Sequence, residues 1–499
     1  MIRPFVSGLV FACLATAAAA QPSVTIDSGT LSGTVDSGIE AYKDIPYAAP
    51  PVGPLRWRPP APPAAWSGAR DASQFGAICP QPQRPDLRML SGDFKQSEDC
   101  LSLNVWAPPG AHKAPVMVWI HGGAHRFGSG SAPFYDGKYF ARDGVMLVTF
   151  NYRLGLLGYF AHPALTKEAG AQAPLGNYGQ MDQIAALQWV KRNIAKFGGD
   201  PDNITVFGES AGGESILYLL TTPSARGLFA RAIVESGGGW GKGDTLAGKE
   251  TEGSDFATHA GLPGATATVE QLRALPVDKM FDIPAKLGFG PFVDGRLVPE
   301  SPAHAFAQGH EIAVPLMIGS NSFEASLMQS FQIPPDWILG QLTPETRAVY
   351  KDDAATDAKL AQAVFTDSIM GAPAHWIAAK ASRQAPAYLY HFSYVNSLRR
   401  FESPGASHGS EIPYVFETGT DFAARIGLKL GADDLATEKL VHSCWVGFAK
   451  TGRPDCDGAN WPAFTPANDT LLEFGEKPGP VSRFRKDQYD ALERALQPG

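Results

Sequence analysis

Ile204-Thr205-Val206-Phe207-Gly208-Glu209-Ser210-Ala211-Gly212-Gly213 is the stretch on which the reading of this chain turns. Ile204 to Phe207 has the character of a buried strand and the residues after Gly213 can continue as a helix, so Ser210 stands where a strand turns sharply into a helix. Gly208-x-Ser210-x-Gly212 is the nucleophile-elbow pattern. The turn is so tight that side chains flanking the serine would clash, and it thrusts the Ser210 hydroxyl out of the sheet. An ordinary Gly/Ser turn has the same composition; the strand-to-helix setting favours the catalytic reading. A helix N-terminus directly behind the serine also presents unpaired N–H groups to a developing negative charge.

The alternation continues outward from there. Val116 to Ile120 ends in His121-Gly122-Gly123, and Val145 to Phe150 ends in Asn151-Tyr152-Arg153; both read as buried parallel strands. Ile184, Leu187, Val190 and Ile194 recur at helical spacing and stop at Gly198-Gly199 before Pro201, a helix with a glycine C-cap. Ala232 to Val234, Leu316 to Ile318 and Tyr388 to Phe392 are further strand candidates. Strands alternating with helices imply an α/β fold with a central, mainly parallel sheet flanked by helices. Residues 46–66, dense in proline, read as an extended surface crossing. There is no internal repeat, and one catalytic domain over 21–499 is simpler than two.

Composition narrows the function. The 499 residues are 44% hydrophobic and 18% charged, which is globular and excludes wholesale disorder. Lys+Arg 42 against Asp+Glu 50 gives a net charge of −8, with no basic run, so nucleic acid is not an expected partner. Arg3, an apolar stretch from Phe5 to Leu14 and Ala17 to Ala20 form the three regions of a secretory signal over residues 1–20, with cleavage expected after Ala20. Cys13 at the end of that stretch is a poor lipidation site, because Phe11 and Ala12 do not make a lipobox. No later segment reaches about 18 uninterrupted apolar residues, so no membrane span is expected and the product is secreted or periplasmic. Without Cys13 the chain keeps Cys79, Cys100, Cys444 and Cys456, an even number in an oxidising compartment. Of their three pairings, joining sequence neighbours closes the shortest loops.

Taken in order, the motifs resemble the type-B carboxylesterases, the family of cholinesterases and bacterial p-nitrobenzyl esterases. The matching stretches are Pro50 to Arg56, Ser97 to Trp106, His121 to Gly123, Asn151 to Gly155, Phe207 to Gly213, Ser407 to Glu411 and Trp445 to Ala449. The resemblance implies an α/β-hydrolase fold and ester hydrolysis on a small-molecule substrate, with no cofactor and no metal. It also stands behind the Cys79–Cys100 pairing, whereas Cys444–Cys456 rests on spacing and export alone. Arg56 with Glu98, and Arg153 with Asp182, match ion pairs that are structural in the family.

For the reaction, Ser210 is the expected nucleophile, since a hydroxyl needs only a nearby base to attack an ester carbonyl. His408, in a loop resembling the family's catalytic-histidine loop, is the expected base; one adjacent carboxylate puts its pKa at about 6 to 7. Gly319 to Ser326 resembles the segment carrying the family's acid, which makes Glu324 the group that fixes the imidazole tautomer. The family's oxyanion donors map onto the backbone of Gly123, Ala124 and Ala211. Ala124 replaces the usual third glycine and His125 the usual aromatic residue, which changes the pocket wall. By the same resemblance Trp240 lines the acyl pocket and Ser236 bonds to Glu209 behind the nucleophile.

Two other patterns fail on inspection. His121-x-x-x-His125 has metal-ligand spacing, but two glycines intervene and no third ligand is evident, so His125 is assigned to the pocket instead. Gly237 to Gly243 has the flavour of a phosphate loop, but Ser236 and Gly243 stand where a glycine and a Ser/Thr are required. The rival function from another class is a cholinesterase-like non-catalytic binding module, which typically loses a triad member; a serine peptidase on the same fold is weaker still.

Overall fold

The apolar runs named above pair edge to edge, because a strand that is apolar on both faces is stable only with neighbours on both sides and helices above and below. The computed structural model describes residues 21–83, 92–283, 287–353 and 355–496. The expected export signal, with Cys13, lies outside them. The main sheet contains β1 (Thr34–Asp36), β2 (Ile39–Pro46), β3 (Ser102–Ala107), β4 (Ala114–Ile120), β5 (Met146–Phe150), β6 (Gly199–Glu209), β7 (Arg231–Glu235), β8 (Leu316–Asn321), β9 (Ala387–Phe392), β10 (Thr470–Phe474) and β11 (Gly479–Ser482). Their spatial order is β11-β10-β9-β8-β7-β6-β4-β5-β3-β2-β1.

The stretch from β10 to β5 is parallel throughout, and the antiparallel pairs sit at the two ends. This is the α/β-hydrolase arrangement. A separate three-stranded sheet joins Ser23–Ile26, Gly29–Ser32 and Ala69–Asp71.

Helices that frame the site are α1 (Lys138–Arg142), α2 (Tyr178–Asn193), α3 (Ala211–Thr221), α4 (Ile412–Val415) and α5 (Ala432–Thr451). The last turn of the helix expected around Ile184 to Ile194 tightens to a 3₁₀ turn, Ile194–Phe197, which ends at Gly198 in the left-handed region with φ 86°. One core layer, with Val116, Val118, Leu187, Val190 and Ile216, packs α2 and α3 on one sheet face. The other, with Trp119, Phe207, Phe416 and Trp445, packs α5 on the opposite face. Two disulfides join Cys79 to Cys100 and Cys444 to Cys456. Among the described residues no helix is long and apolar enough to cross a membrane.

Candidate active site

Ser210 occupies the single residue between β6 and α3, with φ 57° and ψ −124°. Non-glycine residues rarely hold this conformation, and it persists only where the surroundings over-determine it. Here they do: Ser210 N donates to Glu235 O at 2.8 Å, and α3 is pressed onto the end of β4. A Cβ at Gly208 would lie 2.5 Å from Ile120 O, and one at Gly212 would overlap the same oxygen. Both glycines of the elbow are therefore required by close backbone approach.

The His121-Gly122-Gly123 loop lies directly over this turn. A Cβ at Gly122 would stand 3.1 Å from Ser210 Cβ and 2.7 Å from Glu209 O. Gly123, Ala124 and His125 follow with φ values of 103°, 53° and 53°. Three successive positive φ values curl this backbone into a turn, closed by Arg126 N and Phe127 N donating to Gly123 O at 2.9 and 3.0 Å.

His408 comes from the long connection after β9. Its loop is clipped to the turn after β8: Phe323 N donates to Ala406 O, Ala406 N to Ser322 Oγ, and His408 N to Ser326 Oγ at 3.0 Å. That turn carries Glu324, whose Oε2 lies 2.6 Å from His408 Nδ1. The other Glu324 oxygen accepts from Asn321 N at 2.8 Å and from Ser236 Oγ at 2.5 Å. Ser236 thus bonds to Glu324 and not, as expected from the sequence, to Glu209; strand β7 ends beside β8, which brings its next residue to the acid. His408 Nε2 faces Glu209 Oε1 at 3.1 Å, outside hydrogen-bonding geometry, so both atoms are buried without a hydrogen bond.

Four buried carboxyl groups, Glu209, Glu235, Glu324 and Glu411, converge behind the serine. Burial would lower the His408 pKa, but the charges of Glu209, Glu324 and Glu411 and the Glu324 hydrogen bond outweigh it and push it up to about 10. That exceeds the value of about 6 to 7 expected from one adjacent carboxylate, because three face the imidazole. Glu209 is pushed up to about 7 by burial, with His408 opposing and Glu324 adding to the rise. Glu235 is pushed up to about 8 by burial, opposed by the Trp445 indole, which donates to Glu235 Oε1 at 2.8 Å. Glu411 is driven well above the ordinary carboxylate range, again mainly by burial, and accepts from Asn321 Nδ2. Asn321 also donates to Ser407 O at 2.9 Å, tying the acid strand to the histidine loop. Glu235, Asn321, Glu411 and Trp445 were not singled out from the sequence. Asn321, Glu411 and Trp445 do lie inside three of the family-like stretches, which was the available signal.

His125 is 1% exposed, and its Nε2 lies 3.0 Å from Ser215 Oγ on α3. Burial, with His121 adding, pushes its pKa down to about 3. His121 is stacked on Tyr152 with Nδ1 against Gly122 O, so the ring nitrogens of the two histidines engage different hydrogen-bond partners, although both rings pack on Tyr152. Trp240 is partly buried where two hydrophobic clusters meet. The expected ion pairs are present, Arg56 to Glu98 at 2.5 and 2.7 Å and Arg153 to Asp182 at 2.7 and 2.8 Å.

A strained serine at a strand-to-helix turn, with a histidine and an acid delivered by loops after later parallel strands, is the layout of an α/β-hydrolase. Residues 20–492 match the model of the carboxylesterase family, so the chain belongs to that family and is a carboxylic ester hydrolase. It is 37% identical over 471 residues to a para-nitrobenzyl esterase of Bacillus subtilis (strain 168), covering 88% of this chain and 92% of that protein. It is likewise 37% identical over 476 residues to a fumonisin B1 esterase of Sphingopyxis macrogoltabida, covering 91% and 86%. Among solved structures, a thermophilic PNB esterase superposes with a TM-score of 0.83 at 32% identity, covering 95% of this chain and 100% of that one.

Proposed function

We propose that this chain is an exported serine carboxylesterase that cleaves neutral, fairly apolar esters through an acyl-enzyme on Ser210. The observation that carries the reading is the 2.6 Å contact between Glu324 Oε2 and His408 Nδ1, with Nε2 3.1 Å from the carboxylate of Glu209, the residue before Ser210. Nδ1 then holds its hydrogen toward Glu324, and Nε2 is the nitrogen that takes the Ser210 proton as the hydroxyl attacks. Backbone N–H groups of Gly123, Ala124 and Ala211 receive the oxyanion of the tetrahedral intermediate. Imidazolium returns the proton to the leaving alcohol, and the same sequence with water releases the acid. The partial positive charge at the start of α3 favours the developing oxyanion.

The named activities of the two relatives, on para-nitrobenzyl esters and on fumonisin B1, both fit an ester carbonyl attacked in this way. Export is supported by the N-terminal charged, apolar and small-residue pattern and by the two disulfides, which persist in oxidising compartments. One α/β-hydrolase unit is proposed to carry the whole reaction. The test is labelling with a fluorophosphonate and peptide mapping: one adduct on Ser210 is expected, and Ser210→Ala should remove it along with turnover while the protein still folds. An adduct on another serine, or near-normal turnover in that variant, overturns the assignment.

A further inference from the structure

Far along the chain from the serine elbow, three ligand-type side chains from separate elements meet. Asp143 closes α1, Glu417 stands in the turn that follows α4, and His442 lies in the middle of α5. Among the described residues, this is the group of His, Cys, Asp or Glu whose candidate ligand atoms all lie within 4.8 Å of one another.

The state of His442 is the informative part. The residue is 1% exposed, and its Nδ1 lies 2.7 Å from Val415 O. A carbonyl oxygen can only accept, so Nδ1 carries the hydrogen and Nε2 is the nitrogen left with a lone pair in the neutral ring. Nε2 is buried without a hydrogen-bond partner. It points at two acceptors, Asp143 Oδ2 at 3.3 Å and Glu417 Oε2 at 3.8 Å. Arg142 reaches both carboxylates, Asp143 at 2.7 and 2.8 Å and Glu417 at 2.6 and 2.9 Å. Arg142 Nη2 already holds the two oxygens, Asp143 Oδ2 and Glu417 Oε2, that face Nε2. With His442 neutral, one guanidinium against two carboxylates leaves one negative charge beside the Nε2 lone pair, which either a proton or a metal cation would neutralise.

We propose that Asp143, Glu417 and His442 bind one divalent transition-metal ion of the zinc type. Ligand atoms bound tetrahedrally at about 2.0–2.1 Å are separated by about 3.3 Å. The Asp143–His442 separation already has that value, and the Glu417 separation, 3.8 Å, exceeds it, so Glu417 would rotate and loosen its Arg142 pair to reach the ion. Imidazole with carboxylates suits this class of metal, whereas calcium and magnesium prefer oxygen alone. The Val415 carbonyl supplies the outer hydrogen bond that metal-binding histidines usually make, fixing tautomer and ring orientation. The two carboxylates are partly exposed, at 34% and 21%, which leaves a path for the ion and room for water as the fourth ligand. Bound there, the ion would clamp α1, the turn after α4 and α5 together.

The competing occupant is a proton on Nε2, and the experiment separates the two. The mature, disulfide-bonded protein is stripped with chelator and titrated with zinc chloride near neutral pH, with stoichiometry read by equilibrium dialysis and unfolding temperature read in parallel. The expected result is one zinc per chain and a rise in unfolding temperature. Asp143→Asn and Glu417→Gln should each weaken binding by about tenfold or more. Arg142→Gln, which removes the cation already bridging the carboxylates, should tighten it. These three positions are partly exposed, so the variants keep the test open even if a change at buried His442 prevents folding.

The group of exposed His304 and His310 with half-buried Glu300 is the control, since Glu300→Gln should leave the stoichiometric site intact. The inference is overturned if wild-type protein binds no zinc at submillimolar concentration. It is equally overturned if binding survives the Asp143 and Glu417 changes, disappears with Glu300→Gln, or leaves a proton on His442 Nε2 in the nitrogen NMR spectrum of the zinc-saturated protein.

Discussion

Glu324 holds His408 with one carboxylate oxygen, Oε2 to Nδ1 at 2.6 Å, while its other oxygen is occupied by Ser236 Oγ and the Asn321 amide. The carboxylate therefore cannot swing away without breaking three hydrogen bonds. Its position fixes which imidazole nitrogen carries the hydrogen.

Glu324→Gln should for that reason keep the fold and lose the rate. The amide can offer an N–H where the carboxylate only accepts, which favours the wrong tautomer, and it no longer stabilises imidazolium. A fall in kcat of about 10²–10⁴-fold is expected, with KM changed far less. Steady-state kinetics on a p-nitrophenyl ester measures it, and an unchanged kcat would place the acid elsewhere.

Glu209 sets the pH range. As the proposed general base His408 would work only when neutral, and against the effect of burial its pKa is raised toward 10 by Glu209, Glu324 and Glu411. The acid limb of kcat/KM should then lie above the ordinary histidine value, with activity rising as the solution becomes alkaline. Glu209→Gln removes a negative charge 3.1 Å from Nε2. The limb should move down by about one pH unit or more, and kcat should fall because imidazolium loses support in the transition state. A limb that stays in place would mean that the Glu209 charge does not reach the imidazole.

Glu235 offers a stability test with a definite sign. Its carboxyl titrates at about 8 in the folded protein, burial being the main cause, and near the ordinary 4.5 when unfolded. Between these values the folded state holds the extra proton, so stability falls as pH rises from the lower to the higher. Gln at this position cannot ionise and still offers an oxygen to Trp445. Wild type and Glu235→Gln should unfold at similar temperatures near about pH 5, while near about pH 9 the variant should be more stable by on the order of 1–3 kcal/mol. Thermal melts at both pH values decide it; a gap that is the same at both would remove the buried charge as its cause.

How far the sequence revealed this site depends on what each residue has to do. The elbow was legible because Gly208 and Gly212 are forced by the approach of Ile120 O, and a steric requirement of that kind leaves its mark on residue type. The central strands were legible as continuous apolar runs buried on both faces. The outer strands were not: Thr34–Asp36 and Gly479–Ser482 are short, and the longer Ile39–Pro46 is mostly half-buried and mixed in polarity. The partner of Ser236 was misread because a serine hydroxyl serves any nearby carboxylate, and only the order of β6, β7 and β8 settles which one it meets. The acid cluster escaped notice because nothing along the chain brings Glu235, at the end of a strand, beside Glu411, in the histidine-loop motif; only the fold does.

Ala124 is where sequence and structure together change an expectation. From the sequence alone, Ala124→Gly would loosen the loop, since glycine adds up to about 1 kcal/mol of unfolded-state entropy. In the folded chain, however, Ala124 sits at φ 53° between Gly123 at 103° and His125 at 53°. Holding a residue with a Cβ in the left-handed region costs about 1–2 kcal/mol, so glycine relieves strain comparable to the entropy it adds. Ala124→Gly should thus leave stability within about 1 kcal/mol of wild type, as urea unfolding would show. That makes a change in selectivity readable without a folding defect. If the Ala124 methyl crowds the alcohol side of the bound ester beside the oxyanion donor, wild type discriminates against branched alcohols and the glycine variant relaxes that discrimination. The measurement is the ratio of kcat/KM for a tertiary-alkyl acetate to that for a primary-alkyl acetate in both proteins. A ratio that rises in the glycine variant places the methyl against the alcohol portion; one that is unchanged or lower means that the methyl points away from the substrate.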